Sequence, residues 1–221
     1  SKSFMLGRQL SSISVEPGSA WAKNGGSFHF HEKPMTTLPE TTALILIDVQ
    51  QAFNDPSWGV RNNPDAEARI AQLLGHWRAC GRPLFHIQHR RERPASLFYV
   101  DGPGSAFKQQ AQPLAGEPIV HKDVNSAFIG TDLEARLRAA GVTALVIAGL
   151  TTDHCVSTTT RMAGNYGFET YIVDDACATF ERVGPDGRHY SAEQMHDIAL
   201  ASLHREFATV VSTRDVVAAL A

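Results

Sequence analysis

The chain has 221 residues, of which 43% are hydrophobic, and this length and composition favour one domain with a substantial core. Its net charge of −3 and the lack of a long Lys/Arg cluster argue against a nucleic-acid partner. No apolar run approaches the ~20 residues that span a bilayer, and no secretory signal precedes the first strand, so we expect a cytoplasmic protein without a membrane partner. Three widely spaced cysteines predict reduced thiols and no disulfide framework.

The first 40 residues differ in character from the rest of the chain. They are rich in Ser, Gly and Pro and show no sustained periodicity. We interpret residues 1–40 as a leader, an extended start or an arm that packs on another subunit, and residues 41–221 as the folded domain. His29 and His31 lie in the first segment, but two ligands are too few for a defined metal site.

The first predicted strand runs from Ala43 to Val49 and carries a carboxylate near its end. Its apolar residues do not alternate with polar ones, which indicates a strand buried on both faces. Asp48 is costly to bury without a partner, so it either lies at the mouth of the sheet or caps a turn, and the local sequence favours capping. Phe53 and Trp58 follow and either line a pocket or belong to the core.

A helix and a second strand come next. The sequence Asn63-Pro64-Asp65 predicts the start of a helix through a polar cap and a proline in the first turn, and Gly81 predicts its end. Pro83 to Gln88 is the second strand. The long connection from Arg90 to Gly116 is predicted to be a lid or a subunit-contact loop, because structureless loops of this length inside a domain are usually functional.

The third predicted strand, Glu117 to His121, is followed by Lys122. The plain interpretation of Lys122 is a solvated surface charge, but it follows a strand in the same way as Asp48 does. Thr131-Asp132 then predicts the start of a helix that continues through Ala139.

The fourth predicted strand, Val142 to Ala148, leads to a cysteine. Gly149 is expected to end this strand, and Cys155 opens a helix that extends to Gly164. Open α/β sheets bind ligands at the point where a strand ends and the next helix begins, and the helix dipole there favours an anion. We therefore expect a lowered pKa and a reactive thiolate at Cys155, with an inert buried thiol as the alternative.

The remaining elements complete a regular alternation of strands and helices. Phe168 to Val173 is a fifth strand that ends at Asp174-Asp175, whose carboxylates we assign a structural role, and Ser191 opens a helix over 193–206. A sixth strand (208–211) and a helix (214–220) follow. The alternation predicts an α/β fold: a three-layer, doubly wound, mostly parallel six-stranded sheet, Rossmann-like, with helices on both faces.

Three segments of the chain resemble one family of enzymes in the family's own order. Residues 149–156 (GLTTDHCV) resemble the nucleophile motif of the isochorismatase-like cysteine hydrolases, and TDHCV is especially similar to nicotinamidases. Residues 43–50 (ALILIDVQ), followed by Phe53, resemble its first strand, and residues 119–122 (IVHK), followed by Ser126-Ala127-Phe128, resemble its lysine segment. The similarity covers about residue 41 to the C-terminus.

This resemblance implies a mechanism and a site. Cys155 would be the nucleophile that forms a thioester with a small amide or ureide, Asp48 the acid and base, and Lys122 the charge between them. The backbone N–H groups of Thr151 and Cys155 would bind the oxyanion, and the family's pattern implies a cis peptide at Leu150-Thr151. Other residues are expected to contact the substrate: Phe53, Trp58, His89 and Phe128.

Two other functions stay open at this point. The same scaffold supports an isochorismate-type vinyl ether hydrolysis without a thioester, although the presence of Cys155 favours the amidase. A non-enzymatic thiol protein, serving redox sensing or binding, is the third possibility.

No metal or other cofactor is expected. Nicotinamidases carry an Asp-x-His pair after the second strand, and the matching residues here, 87–91 (IQHRR), lack it. His86 and His89 should point to opposite faces of their strand and so cannot share an ion. Arg91 would repel a cation and would suit a polar or anionic substrate group. If His89 does not contact the substrate, the alternative is that it is an ordinary hydrogen-bonded loop residue.

The long loop also predicts a homo-oligomer. Leu97, Phe98 and Tyr99 would form an adhesive patch if they were exposed on a single subunit.

Overall fold

A computed structural model of the protein describes residues 37–220. Its strands are β1 (Ala43–Ile47), β2 (Leu84–His89), β3 (Ile119–Lys122), β4 (Ala144–Leu150), β5 (Glu169–Ala178), β6 (Arg182–Val183), β7 (His189–Tyr190) and β8 (Thr209–Val211). Six of them form one sheet in the order β3-β2-β1-β4-β5-β8, in which all neighbours are parallel. β6 and β7 form a separate antiparallel hairpin.

Helices cover both faces of the sheet, which confirms the predicted doubly wound fold. They are α1 (Ala66–Cys80), α2 (Leu133–Ala139), α3 (Ser157–Asn165), α4 (Ala192–Leu203) and α5 (Thr213–Ala218). Side chains of α1 and α5 pack in one core cluster, and side chains of α2, α3 and α4 pack in another. Ile45 of β1 faces the second cluster and Leu46 the first. Both faces of β1 are therefore buried, which explains its continuous apolar sequence.

The strand order reverses between β1 and β4, and the crevice at such a point is where doubly wound sheets bind ligands. The two strands approach each other closely at Gly149, which pairs with Ile47. Gly149 has φ of 132°, and a Cβ atom built there would collide with the Ile47 carbonyl oxygen. Only glycine fits this position.

Both β4 and β5 extend beyond the ends that the sequence predicted for them. β4 continues past Gly149 to Leu150, because Gly149 still pairs with both Ile47 and Cys177. β5 continues to Ala178, so Asp174 and Asp175 lie within the strand and do not end it. A register shift between Ile147 and Gly149 marks an irregularity in the pairing of β4 with β5.

The predicted cap of the first helix is wrong. α1 begins at Ala66, and its N-cap, Asp65, makes no side-chain cap hydrogen bond. The Asn63 side chain instead donates to the carbonyl oxygens of Asp174 and Cys177 and so ties the start of the helix to β5. Gly81 ends the helix in the left-handed conformation, as predicted.

The predicted N-terminal extension, residues 1–40, lies outside the described residues except for its last four. None of the helices between residues 37 and 220 has both the length and the apolar character required of a membrane span. Cys80, Cys155 and Cys177 are all free thiols.

Candidate active site

Three side chains from separate strand ends meet at the carboxyl edge of the sheet. Asp48 follows β1, Lys122 ends β3, and Cys155 lies in a π-helical turn (Thr152–Val156) that joins β4 to α3. The Lys122 ammonium lies 2.7 Å from Asp48 Oδ2 and 3.3 Å from Cys155 Sγ. All three residues are buried. The structure therefore brings together the three residues that the resemblance proposed as catalytic.

Burial controls the protonation of Cys155, and here the sequence-based expectation is wrong. Removal from water, together with the charge of Asp48, raises the pKa of the Cys155 thiol to about 12 despite the attraction of Lys122. Burial likewise raises the pKa of Asp48, although the charge and hydrogen bond of Lys122 act to lower it. With its pKa raised in this way, the thiol carries its proton at neutral pH.

The turn that carries Cys155 has an unusual backbone. The Leu150-Thr151 peptide is cis, as the resemblance implied. The Thr151 carbonyl oxygen accepts hydrogen bonds from the N–H groups of His154 and Val156, which closes the turn around Cys155. The His154 side chain is 48% exposed and lies 3.5 Å from Asp153. Binding of an oxyanion by the N–H groups of Thr151 and Cys155 stays a prediction.

His89 contacts Lys122, and His86 does not. The Lys122 ammonium lies 2.9 Å from His89 Nδ1, whereas His86 Nε2 lies 2.9 Å from Glu117 Oε2. The two imidazoles therefore have different partners.

Ligand atoms of Asp48, His89 and Cys155 lie within 4.8 Å of one another, a spacing that would suit a metal ion. The Lys122 ammonium, however, is within hydrogen-bonding distance of all three. Its positive charge occupies the position that a bound cation would need, so these residues do not fit a metal ion while Lys122 holds this conformation.

The other predicted substrate contacts divide into two groups. Phe53 and Trp58 pack against each other, with ring centroids 5.1 Å apart, in an aromatic cluster that includes Phe98. This cluster adjoins the site because the Phe98 ring lies 4.9 Å from that of His89. Phe128 instead packs in the core against other aromatic rings, those of Tyr166 and Phe168. A substrate contact by any of these residues stays a prediction.

Gln50 has a role that the sequence analysis missed. It is fully buried, its amide nitrogen donates to the carbonyl oxygens of His89 and Ser105, and its amide oxygen accepts from the His89 N–H. It thus links the ends of β1 and β2 to the long loop. A glutamine shortly after an apolar strand, just beyond Asp48 and Val49, is the only local signal, since buried amides need partners.

His196 was also missed. This buried α4 residue lies 2.9 Å, through Nδ1, from the hydroxyl of Thr152, the first residue of the π-helical turn. Nothing in the α4 sequence marks it, because its partner lies on another element.

The long loop after β2 packs on its own domain. Its backbone pairs with the segment after β1, through Gln51 to Ala106 and Lys108 to Val49. The Lys108 ammonium is buried against Glu67 at 2.6 Å.

Beside the loop lies a groove of about 690 Å³. It is lined by Arg90, Arg91, Glu92, Arg93, Val100, His121, Lys122, Asp123 and Gly130.

Fold and site together define an α/β protein that holds a thiol, an ammonium and a carboxylate at the switch point of a parallel sheet. Residues 42–215 match the sequence model of the Isochorismatase domain. The isochorismatase family protein YrdC of Bacillus subtilis is 47% identical over 180 residues, which cover 81% of this chain and 96% of YrdC. The chain therefore belongs to the isochorismatase family.

A solved structure from this family and a curated enzyme are also similar to the chain. An isochorismatase-family protein from Chromobacterium violaceum has a TM-score of 0.82 and 46% identity, and the match covers 84% of this chain and 96% of that one. Maleamate amidohydrolase of Pseudomonas putida is 30% identical over 190 residues, which cover 78% of this chain and 84% of that enzyme. These similarities support hydrolase activity.

Proposed function

We propose that this protein is a cysteine-dependent amidohydrolase that cleaves the C–N bond of a small amide or ureide through a thioester intermediate. The observation that carries the proposal is the single ammonium of Lys122 between a carboxylate and a thiol, with Asp48 at 2.7 Å and Cys155 at 3.3 Å. The similarity to maleamate amidohydrolase supports the reaction class.

In the first half-reaction Cys155 Sγ attacks the carbonyl carbon while the Asp48 carboxylate takes the thiol proton. Because the pKa of Cys155 is about 12, the proton leaves only as the attack proceeds, and Asp48 has to be close enough to receive it. Lys122 stabilises the negative charge whether it resides on sulfur or on Asp48. The oxyanion accepts hydrogen bonds from the N–H groups of Thr151 and Cys155.

The tetrahedral intermediate then collapses. Its C–N bond breaks, Asp48 returns the proton to the leaving nitrogen, and ammonia or an amine departs from the thioester. In the second half-reaction Asp48 takes a proton from water as the water attacks the thioester carbon. The C–S bond breaks, the sulfur receives that proton, and the acid product leaves with the thiol restored.

The groove beside Lys122 supports a substrate with a polar or anionic group. Three arginines, Arg90, Arg91 and Arg93, line it. Arg91 is close enough for its charge to help lower the pKa of His89. A guanidinium binds a carboxylate through two parallel hydrogen bonds, so we propose that an acid amide fits better than its neutral counterpart.

The test is a panel of small amides and ureides, with and without a carboxylate, assayed for release of ammonia. We expect turnover by the wild type, none by Cys155→Ala, and a substrate-derived mass adduct on Cys155 with a slowly hydrolysed amide. The melting temperature of Cys155→Ala should stay close to that of the wild type. Activity that survives this substitution would place the nucleophile elsewhere, and vinyl ether cleavage without an adduct would favour isochorismate-type chemistry.

A further inference from the structure

Four acceptors surround the ammonium of Lys122, which has only three N–H donors. Asp48 Oδ2 lies at 2.7 Å and His89 Nδ1 at 2.9 Å, whereas the Val124 carbonyl oxygen lies at 3.2 Å and Cys155 Sγ at 3.3 Å. The two short contacts each take one N–H. The third N–H is left to Val124 and the sulfur, and it favours the sulfur when that atom becomes negatively charged.

His89 is a neutral acceptor in this arrangement. Burial and the positive charges of Lys122 and Arg91 lower the pKa of His89 to about 3. Because an ammonium can only donate, His89 Nδ1 accepts, and the ring proton must lie on Nε2. A carboxylate in this position would also accept an N–H, but its negative charge would oppose ionisation of the thiol.

The backbone and ring of His89 are held in place. Gln50 hydrogen-bonds to both the N–H and the carbonyl oxygen of His89, at 2.8 and 3.0 Å. The Phe98 ring packs against the imidazole. His89 therefore offers its Nδ1 atom to Lys122 from a fixed position, unlike a side chain on an unsupported loop.

We infer that His89 is a positioning residue that, together with Asp48, fixes the orientation of the Lys122 ammonium, so that the remaining N–H points towards the sulfur of Cys155 and the Val124 carbonyl oxygen. It acts through Lys122 and needs no contact with the substrate. The inference rests on the proposed role of Cys155 as the nucleophile. It differs from the sequence-based expectation, in which His89 touched the substrate.

The test measures ionisation of Cys155 without any substrate. The rate of alkylation by iodoacetamide is followed from about pH 7 to about pH 10, which lies below the pKa of Cys155, so that the rate reports the small fraction of thiolate. Because Cys80 is exposed and would also react, all variants carry Cys80→Ala, and the modified peptide is identified by mass spectrometry. The variants are His89→Leu, which removes the acceptor, and His89→Asn, whose side-chain oxygen can replace it.

His86→Leu is the matched control, because it removes a buried histidine from the same strand without touching Lys122. We expect His89→Leu to slow alkylation of Cys155 roughly tenfold throughout this pH range, since an ammonium that can turn away from the sulfur loses one charge-assisted hydrogen bond, which is worth about that factor. His89→Asn should stay within about threefold of the wild type, as should His86→Leu.

An unchanged alkylation rate in His89→Leu overturns the inference, as does a His89→Asn variant as slow as His89→Leu. If His89→Leu fails to fold by circular dichroism, His89→Phe keeps a ring without the acceptor and is judged by the same criterion. Failure of the proposed function has a different signature, because turnover would then survive Cys155→Ala whatever the alkylation rates are.

Discussion

At the residue scale, Asp48 and Cys155 share the ammonium of Lys122, and their protonation is coupled. The carboxylate of Asp48 acts to raise the pKa of the thiol, yet the proposed mechanism needs that carboxylate to accept the thiol proton. One residue therefore disfavours the free thiolate and promotes the reaction. These two effects of Asp48 can be separated by substitution.

Asp48→Asn should change alkylation and turnover in opposite directions. Without the negative charge of Asp48, Lys122 lowers the pKa of Cys155, so iodoacetamide should modify the sulfur faster than in the wild type at about pH 7. Amide turnover should fall by at least about a hundredfold because the base is lost. Both are measured on the same preparation. Faster turnover in this variant would exclude Asp48 as the base.

Metal removal is a second test at this scale. The ammonium of Lys122 lies among the ligand atoms of Asp48, His89 and Cys155, so we expect full activity after exhaustive chelation. Elemental analysis should find no stoichiometric Zn, Fe or Mn in the active protein. Activity that is lost on chelation and restored by one of these ions would contradict the prediction.

At the scale of the elements, the contact between β1 and β4 holds together the two strands that lead to Asp48 and Cys155. Gly149→Ala should destabilise the fold by about 3 kcal/mol or more, because the new Cβ meets the Ile47 backbone and alanine is strained at this φ. Gly75→Ala is the control, since a Cβ there has no atom within 4 Å. In the middle of α1 this change should stabilise the fold by roughly 0.5–1 kcal/mol.

Chemical denaturation of the wild type and the two glycine variants measures these changes in the free energy of unfolding. A Gly149→Ala variant as stable as the wild type would show that β1 and β4 can move apart at no cost.

The buried ion pairs of Glu67 join α1 to the long loop and predict a pH dependence of stability. Burial acts to raise the pKa of Glu67, but hydrogen bonds and charges from Arg61 and Lys108 outweigh it and hold that pKa at about 2, below the usual 4.5. A lowered pKa stabilises the folded state above pH 4.5, and the contribution is lost as the pH falls from 4.5 towards about 2.

Glu67→Gln should therefore be less stable than the wild type at neutral pH, and the difference should shrink on acidification through this window. Urea unfolding at a series of pH values measures it. Glu117 also has a pKa of about 2, so the prediction concerns the difference between the two proteins and not the wild-type curve alone. A difference that stays constant with pH would argue against ionised Glu67 as the cause.

At the scale of the whole molecule, the predicted homo-oligomer still has to be tested. The loop residues that motivated it are partly accounted for within one subunit, because Phe98 packs on Phe53 and His89. Leu97 is 36% exposed and Leu114 is 56% exposed, so part of the apolar surface of the loop faces outward. We expect a mass above one subunit by light scattering at micromolar concentration; a monomer would contradict the prediction.

The sequence by itself determined the order of the strands along the chain, the α/β class and the three residues at the strand ends. A parallel strand buried on both faces needs a continuous apolar run, and such runs are visible locally, as in Ala43–Ile47. A polar residue that follows such a run often marks the end of the strand, as Asp48 does, but Asp174 and Asp175 lie within β5. The amino-acid pattern alone left capping as the favoured role of Asp48 and a surface charge as the plain interpretation of Lys122. Their shared position after strands and the motif resemblance joined them with Cys155 in one predicted site.

Only the tertiary structure decided the protonation of the site and the partners of its supporting residues. The pKa of Cys155 depends on its burial and on Asp48, and His89 meets Lys122 only because β2 pairs with β3. The contacts of Gln50 and Glu67 likewise join segments that are distant in the chain. Periodicity reports how a segment is buried, but hydrogen bonds and desolvation depend on which other segments are packed against it.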